Sequence, residues 1–111
     1  MKWICDKCHG LIESPKDGFV QWKKRGQIRI VHQKGCLDLG PEISDHHLDR
    51  FLGEDGLIYL LDVRRRAELP VNELDEAIKR LHVTDYDLVR DRIQDAVNAQ
   101  VACRATVSGR R

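Results

Sequence analysis

The sequence predicts an α+β fold in which a small β-hairpin module precedes three or four short α-helices. Apolar and polar residues alternate in two short runs before residue 40, and after residue 41 the apolar residues recur at helical spacing. The charge changes with the pattern: eight Lys and Arg against four Asp and Glu before residue 41, and eleven against fourteen after it. We therefore expect a module at 1–40, a helical region at 41–100 and a flexible tail at 101–111.

The segment FVQWKKRGQIRIVH predicts the hairpin. Apolar residues alternate with polar ones on either side of Arg25-Gly26, namely Val20 and Trp22 before it and Ile28 and Ile30 after it. Two alternating runs around a glycine-containing turn are typical of an antiparallel pair of strands. The second strand would end at His32.

The motif Cys5-x-x-Cys8-His9 fits four chemistries: a metal site, a redox pair, half of a disulfide network or a haem attachment site. Because the motif lies so close to Met1, we expect no export leader before it. This disfavours haem, which is normally attached after export, and predicts a cytoplasmic protein whose thiols stay reduced. A redox pair at the start of a helix would need a preceding strand, for which there is little room.

The spacing His32-x3-Cys36 supplies two further ligands at the far end of the hairpin. Zinc prefers four tetrahedral thiolate and imidazole ligands, and a 40-residue module with few large apolar groups needs a metal to fold. The sequence therefore predicts a closed, structural Cys3His zinc (Zn2+) site made by Cys5, Cys8, His32 and Cys36. His9, His46 and His47 are alternatives for His32, and Cys103 is a distant alternative for Cys36.

Two helices are predicted between Pro41 and Pro70. The first covers DHHLDRFL, is capped by Ser44 and ends at Gly53. The second covers EDGLIYLLDVRRRAEL, whose acidic start and basic end suit the helix dipole. On the first helix we expect one of His46 and His47 to be exposed and the other half-buried.

Two more helices are predicted after Pro70. Asn72 would cap ELDEAIKRLHV, and Thr84 with Asp87 would form a capping box before YDLVRDRIQDAVNAQ. Their apolar stripes are expected to pack in the core: Leu74, Ile78 and Leu81 on the first, and Tyr86, Val89, Ile93 and Val97 on the second. We expect the acidic residues of the last helix to form a solvated face: Asp85, Asp87, Asp91 and Asp95.

The segments VHQKGC and DHHLDRFLGEDGLIYLL, together with the C-x-x-C, resemble a group of small uncharacterised bacterial proteins, some of them phage-associated. Cys5, Cys8, His32, Cys36 and the segment 51–57 carry this resemblance. The N-terminal part also resembles treble-clef and LIM-like fingers in layout, although Gly35 between the last two ligands departs from the helix start usual there. The resemblance implies a zinc-binding fold and no particular activity.

A metal with four protein ligands cannot activate water, and the chain has no H-E-x-x-H, G-x-S-x-G, P-loop or G-x-G-x-x-G motif. We therefore expect a non-enzymatic interaction module that binds a protein partner or self-associates through its helical part, where GLIYLL is strongly apolar. The alternative is a regulatory nucleic-acid-binding finger that uses Trp22, Lys23, Lys24, Arg25 and Arg29. No apolar run approaches the roughly 18 residues of a membrane span.

Overall fold

The structure, a computed structural model, describes residues 1–90 and has the α+β class that the sequence predicts. Five strands come first along the chain: β1 (Trp3–Ile4), β2 (Leu11–Ile12), β3 (Gly18–Trp22), β4 (Ile28–His32) and β5 (Ser44–His47). Two 3-10 helices, Pro15–Asp17 and Leu48–Phe51, precede β3 and follow β5. Two α-helices, α1 (Gly53–Arg66) and α2 (Val71–His82), complete the order, and residues 86–90 are also helical.

The strands form two antiparallel sheets. Strands β1 and β2 pair as a short hairpin around the C-x-x-C segment, and the second sheet has the strand order β4-β3-β5. The predicted hairpin is β3 with β4, in a register that sets Val20 opposite Ile30 and Trp22 opposite Ile28. Its turn has Arg25 at a positive φ of 60°, and the Gly26 N–H donates to the carbonyl of Lys23.

The prediction of a helix capped by Ser44 is wrong. Residues 44–47 form strand β5, which pairs antiparallel with β3, and only Leu48–Phe51 is helical, as a 3-10 turn. Without β5, one edge of β3 would have unpaired backbone N–H and C=O groups. A strand at residues 44–47 satisfies these groups, whereas a helix would not. His46 is half-buried and His47 exposed, as expected, although a strand presents them.

Helix α1 is confirmed and begins at Gly53, where the backbone has a φ of 73°. The chain turns back so tightly before this helix that Gly56 lies against the backbone of Phe51. A Cβ atom at position 56 would clash with the Phe51 carbonyl carbon. A glycine inside the first turn of α1 is therefore what allows the helix to pack on the 3-10 helix.

Helix α2 is confirmed, but its predicted N-cap is wrong, and so is the capping box predicted for the next helix. It begins at Val71, with Pro70 and not Asn72 at the N-cap, and no side chain caps it. The Asp87 side chain does not form a capping box with Thr84, because its carboxylate is buried and bound to Arg80 and the backbone of β1. The expected solvated acidic face is therefore wrong for Asp87.

One core joins the sheets and the helices. Its largest fully buried apolar side chains come from both sides of residue 40: Trp3, Ile12, Val20, Ile30, Val31, Leu48, Phe51, Leu60, Leu69 and Leu81. The predicted stripe of α2 packs into it, with Leu81 buried and Leu74 and Ile78 partly buried. Val89, which was also predicted to pack in the core, is exposed. The expected tail 101–111, the predicted core residues Ile93 and Val97 and the acidic residues Asp91 and Asp95 lie outside the described residues.

Candidate metal centre

The β1–β2 hairpin brings Cys5 and Cys8 to one side of a tight turn. The Cys5 N–H donates to the Gly10 carbonyl at 2.8 Å, and the His9 N–H donates to the Cys5 carbonyl at 2.9 Å. His9 adopts a positive φ of 63°, which closes the turn. We call residues 5–10 the knuckle.

Backbone N–H groups of the knuckle point at its sulfur atoms. Lys7 and Cys8 N–H groups lie 3.4 and 3.5 Å from the Cys5 Sγ, and the Gly10 N–H lies 3.4 Å from the Cys8 Sγ. Such donors stabilise a thiolate more than a thiol, because they offset its negative charge. The knuckle is therefore arranged for two thiolates rather than for two buried apolar thiols.

Strand β4 and the turn after it supply the other pair. His32 ends β4, and its Nδ1 lies 3.3 Å from the Cys8 Sγ and 3.8 Å from the Cys36 Sγ. Its Nε2 lies 3.0 Å from the Leu11 carbonyl oxygen, which can only accept a hydrogen bond. Nε2 therefore carries the proton, and the Nδ1 lone pair faces the sulfurs, as a metal-ligating imidazole requires.

The turn between His32 and Cys36 is not helical, and Gly35 in it has a φ of 81°. The helix start that a treble-clef layout implies at these ligands is therefore absent from this segment. A left-handed residue here lets the chain reverse within three residues. This reversal brings the buried Cys36 back to the knuckle.

The ligand atoms of Cys5, Cys8, His32 and Cys36 all lie within 4.8 Å of one another. Tetrahedral zinc with Zn–S bonds of about 2.3 Å separates its sulfurs by about 3.8 Å, so the group has the size of a four-coordinate metal site. Cys5, Cys8 and Cys36 are free thiols, which leaves all three sulfurs available. The donor set fits a metal ion.

The two buried cysteines differ in acidity. Burial opposes ionisation of Cys5, but hydrogen bonds led by that of the Cys8 N–H lower its pKa to about 6. Burial and the neighbouring sulfurs of Cys5 and Cys8 raise the pKa of Cys36 to about 11. The Leu11 carbonyl raises the pKa of His32. In the metal-free cluster, Cys5 is therefore a much stronger acid than Cys36.

The alternative ligands are not part of this group. His9 is exposed and follows the knuckle cysteines, and His46 and His47 lie on β5, where they contact Tyr59 and Phe19. Among the described residues, the four predicted ligands form the sole cluster with the spacing of a metal site. Cys103 lies outside the described residues.

A buried ion pair that the sequence analysis missed fastens the knuckle to the helices. Arg80 of α2 makes two hydrogen bonds of 2.8 Å to the Asp87 carboxylate, a third of 2.8 Å to the Asp6 carboxylate and one of 2.9 Å to the Ile4 carbonyl. Asp87 also accepts the N–H of Ile4, and Asp6 accepts that of Ile30. We call Arg80, Asp6 and Asp87 the clamp.

The sequence held only a weak signal for the clamp. Arg80 is one of three basic residues in the last turn of α2, where a cation is expected to face solvent. It stands next to Leu81, however, and its backbone carbonyl accepts the indole N–H of Trp3 at 2.9 Å. Asp6 and Arg80 are 74 positions apart, and a pair so distant along the chain leaves no local sequence pattern.

Four of the five predicted nucleic-acid-binding residues are basic, and three of these four have acidic partners. Lys23 lies 3.7 Å from Glu42, Arg25 lies 3.8 Å from Glu68, and Arg29 pairs with Asp38. Lys24 and Trp22 instead line an open cleft of ≈ 370 Å³ between the sheet and α1, together with Tyr59 and Arg66. The structure thus brings Trp22 and Lys24 together but directs Arg29 towards the knuckle.

Comparison of the chain with protein-family models, with curated proteins and with solved structures found no match. Within residues 1–90, no helix has the length and apolar character needed to cross a membrane.

Proposed function

We propose that this chain is a non-enzymatic interaction module organised by a structural zinc ion, and that its helical part binds a protein partner. The observation that carries the zinc proposal is the convergence of three sulfurs and one Nδ1 within 4.8 Å. The number of ligands supports a structural role for the metal, because four protein ligands leave no coordination position for a reacting water.

The donor set favours zinc among the common metals. Three thiolates are soft ligands that exclude calcium and magnesium, and one imidazole beside them in a tetrahedral arrangement is a frequent zinc combination. The hydrogen bond from His32 Nε2 to the Leu11 carbonyl would hold the ring in its metal-binding orientation. Cys8, which is exposed, lies on the side from which a metal would enter.

The position of the site supports a role in folding. The knuckle is flanked by Trp3 and Ile12, which pair across β1 and β2 and are fully buried. Two-residue strands have few backbone hydrogen bonds of their own, so a metal that joins the knuckle to β4 would hold them in register. The zinc would thereby support the core on which α2 packs.

Exposed apolar side chains on α1 support the proposal of partner binding. Ile58 and Leu61 keep 66% and 44% of their surface accessible, although the helix buries Leu60 and Val63 on its other side. A small protein that exposes branched aliphatic residues on one helix has a surface suited to another protein.

The metal content of the protein tests the zinc proposal. The chain would be purified without added metal and without a metal-binding tag, and we expect one equivalent of zinc and a colourless solution. Cys36→Ser and His32→Ala should lose the metal, whereas the controls Cys103→Ser and His9→Ala should keep it. Absence of metal would refute the proposal, and iron with a haem absorption band would assign the C-x-x-C-H to haem.

Nucleic-acid binding is a second candidate function, favoured by the cleft where Trp22 and Tyr59 lie near Lys24 and Arg66. Aromatic rings beside cations can stack bases and neutralise phosphates. Binding to a labelled single-stranded oligonucleotide, measured by fluorescence anisotropy, should then weaken steeply as salt is added. Lys24→Glu should also weaken this binding, whereas the control Lys16→Glu should not. Equal binding by the two variants would eliminate this candidate.

A further inference from the structure

Helix α1 carries an exposed row of four residues that runs along its whole length. These residues, which we call the α1 stripe, are Glu54, Ile58, Leu61 and Arg65. Their spacing of four, three and four positions places them within about 60° of one another around a helix with 100° per residue. All four side chains are exposed, whereas the residues on the other side of α1 face the core.

The stripe is asymmetric in charge along the helix. It begins with an acid, has two aliphatic residues in the middle and ends with a base. Arg65 has one partner among the described residues, Asp62 on its own helix at 3.3 Å, and this pair is solvent-exposed. An exposed pair of this kind contributes little stability and exchanges readily for a better one.

This order of residues is complementary to itself when two helices run in opposite directions. Glu54 and Arg65 are separated by about 16 Å along the axis, at a rise of about 1.5 Å per residue. A two-fold axis near the middle of α1 would therefore set Glu54 against Arg65 of a second copy, and Ile58 against Leu61. A parallel pair would instead bring like charges together.

The helix dipoles favour the same arrangement. In an antiparallel pair, the positive N-terminal end of each α1 lies beside the negative C-terminal end of the other. The knuckle and the clamp play no part in this contact, so metal binding and pairing are separable properties.

We propose that α1 is the self-association surface of this protein, and that two copies pair antiparallel through the α1 stripe. The inference rests on the proposed function, in which the helical part binds a partner, and it identifies that partner as a second copy of the chain. One helix from each copy forms a small interface, so the dimer should be weak, with a dissociation constant in the micromolar range or above.

Analytical ultracentrifugation of the zinc-loaded full chain over a concentration series tests the proposal. Wild type should shift from monomer to dimer as concentration rises. Glu54→Arg and Arg65→Glu should each raise the dissociation constant by about tenfold or more, because each change creates two like-charge contacts per dimer. The double variant E54R/R65E should restore association, since it exchanges the charges without changing their complementarity.

A matched pair of apolar changes tests the centre of the interface. Ile58→Ser should weaken association, whereas Val71→Ser, which also removes an exposed aliphatic side chain (57% accessible) but lies on α2, should not. Failure of the double variant to recover, or a wild type that is monomeric at every concentration, would overturn the inference. Zinc content measured on the same samples separates the two proposals: a monomer with one zinc leaves the zinc proposal standing, and metal-free protein contradicts it.

Discussion

Arg80 shows how a single charged residue can hold two parts of the chain together. Burial opposes its charge, but hydrogen bonds to Asp87 and Asp6 raise the pKa of the guanidinium above its usual value. Asp87 is itself 1% accessible and depends on Arg80 for charge compensation. Removing one member of such a pair leaves a buried charge without its partner, which costs far more than loss of a surface ion pair.

We therefore expect Arg80→Met to lower the free energy of unfolding by about 3–5 kcal/mol. The matched control is Arg90→Ala, which removes an exposed ion pair with Glu76 and should cost at most about 1 kcal/mol. Urea denaturation of the zinc-loaded proteins, followed by circular dichroism, measures both. Equal costs for the two variants would show that the clamp does not stabilise the fold.

The unequal acidities of Cys5 and Cys36 predict how zinc affinity depends on pH. Cys36, with a pKa of about 11, carries a proton at neutral pH and must release it to bind zinc. Cys5, with a pKa of about 6, is already largely ionised at pH 7.5 and takes up a proton only below about pH 6. Affinity should therefore fall as pH falls, and it should fall more steeply once Cys5 and His32, whose pKa is raised, are also protonated.

Competition with a coloured zinc chelator between pH 5 and 8.5 would give this profile. We expect the logarithm of the binding constant to rise with pH throughout, with a larger slope below about pH 6 than above about pH 7. A slope that is the same at both ends would mean that Cys5 releases its proton together with the other ligands. The hydrogen bonds to its sulfur would then have no effect on its acidity.

At the scale of elements, the chain makes a tight corner between the 3-10 helix Leu48–Phe51 and α1. Gly56 allows it, because a side chain there would enter the backbone of Phe51. Phe51 in turn packs its ring against Trp22 and Tyr59, with centroids 5.8 and 5.0 Å away. The corner therefore sets the distance between α1 and the sheet.

Gly56→Ala should destabilise the protein by about 1–3 kcal/mol, because the clashing atoms belong to the backbone and cannot rotate away. Gly40→Ala is the control, since a Cβ there meets side-chain atoms no closer than 3.6 Å. That substitution should be neutral or slightly stabilising, because alanine reduces the freedom of the unfolded chain. Thermal unfolding compares the two, and a neutral Gly56→Ala would disprove the tight corner.

The elements that the sequence predicted well are those with long, regular patterns. Helix α1 and strands β3 and β4 were found because their apolar residues repeat at the period of the element over five residues or more. The sequence wrongly predicts a helix at strand β5 because Leu48, Phe51 and Leu52 have helical spacing, which a 3-10 turn also produces. Its identity depends on β3, a partner more than twenty residues away.

At the scale of the whole molecule, the predicted metal ligands and the clamp show which long-range features a sequence reveals. The clustering of Cys5, Cys8, His32 and Cys36 could be predicted because their residue types are rare and their two local spacings match metal chemistry. The clamp could not be identified, since Asp and Arg are common and Asp6 and Arg80 meet only after the core has formed. The local spacing of the cysteines and His32 was therefore enough to predict the cluster. The contacts that join this cluster to the helices could be found only from the folded structure.

This attachment predicts that removing the metal affects more than the knuckle. Trp3 lies between the knuckle and α2, is fully buried and donates its indole N–H to the Arg80 carbonyl. If zinc holds β1 in place, a chelator should expose Trp3 and weaken the packing of α2, because both depend on the position of the knuckle. Zinc that binds only the folded protein, at a free concentration a thousand times its dissociation constant, adds about 4 kcal/mol to the free energy of unfolding. This is a large part of the total free energy of unfolding of a small domain.

The experiment uses Trp22→Phe, in which Trp3 is the sole tryptophan, and follows emission during treatment with a strong chelator and a thiol reductant. We expect the emission maximum to shift to longer wavelength as zinc leaves, together with a loss of helical circular dichroism, and both should recover when zinc is returned. A Cys103→Ser background excludes effects of that thiol. If zinc departs while the Trp3 emission and the helical signal stay constant, the core and the clamp hold the fold without the metal, and the zinc stabilises the knuckle alone.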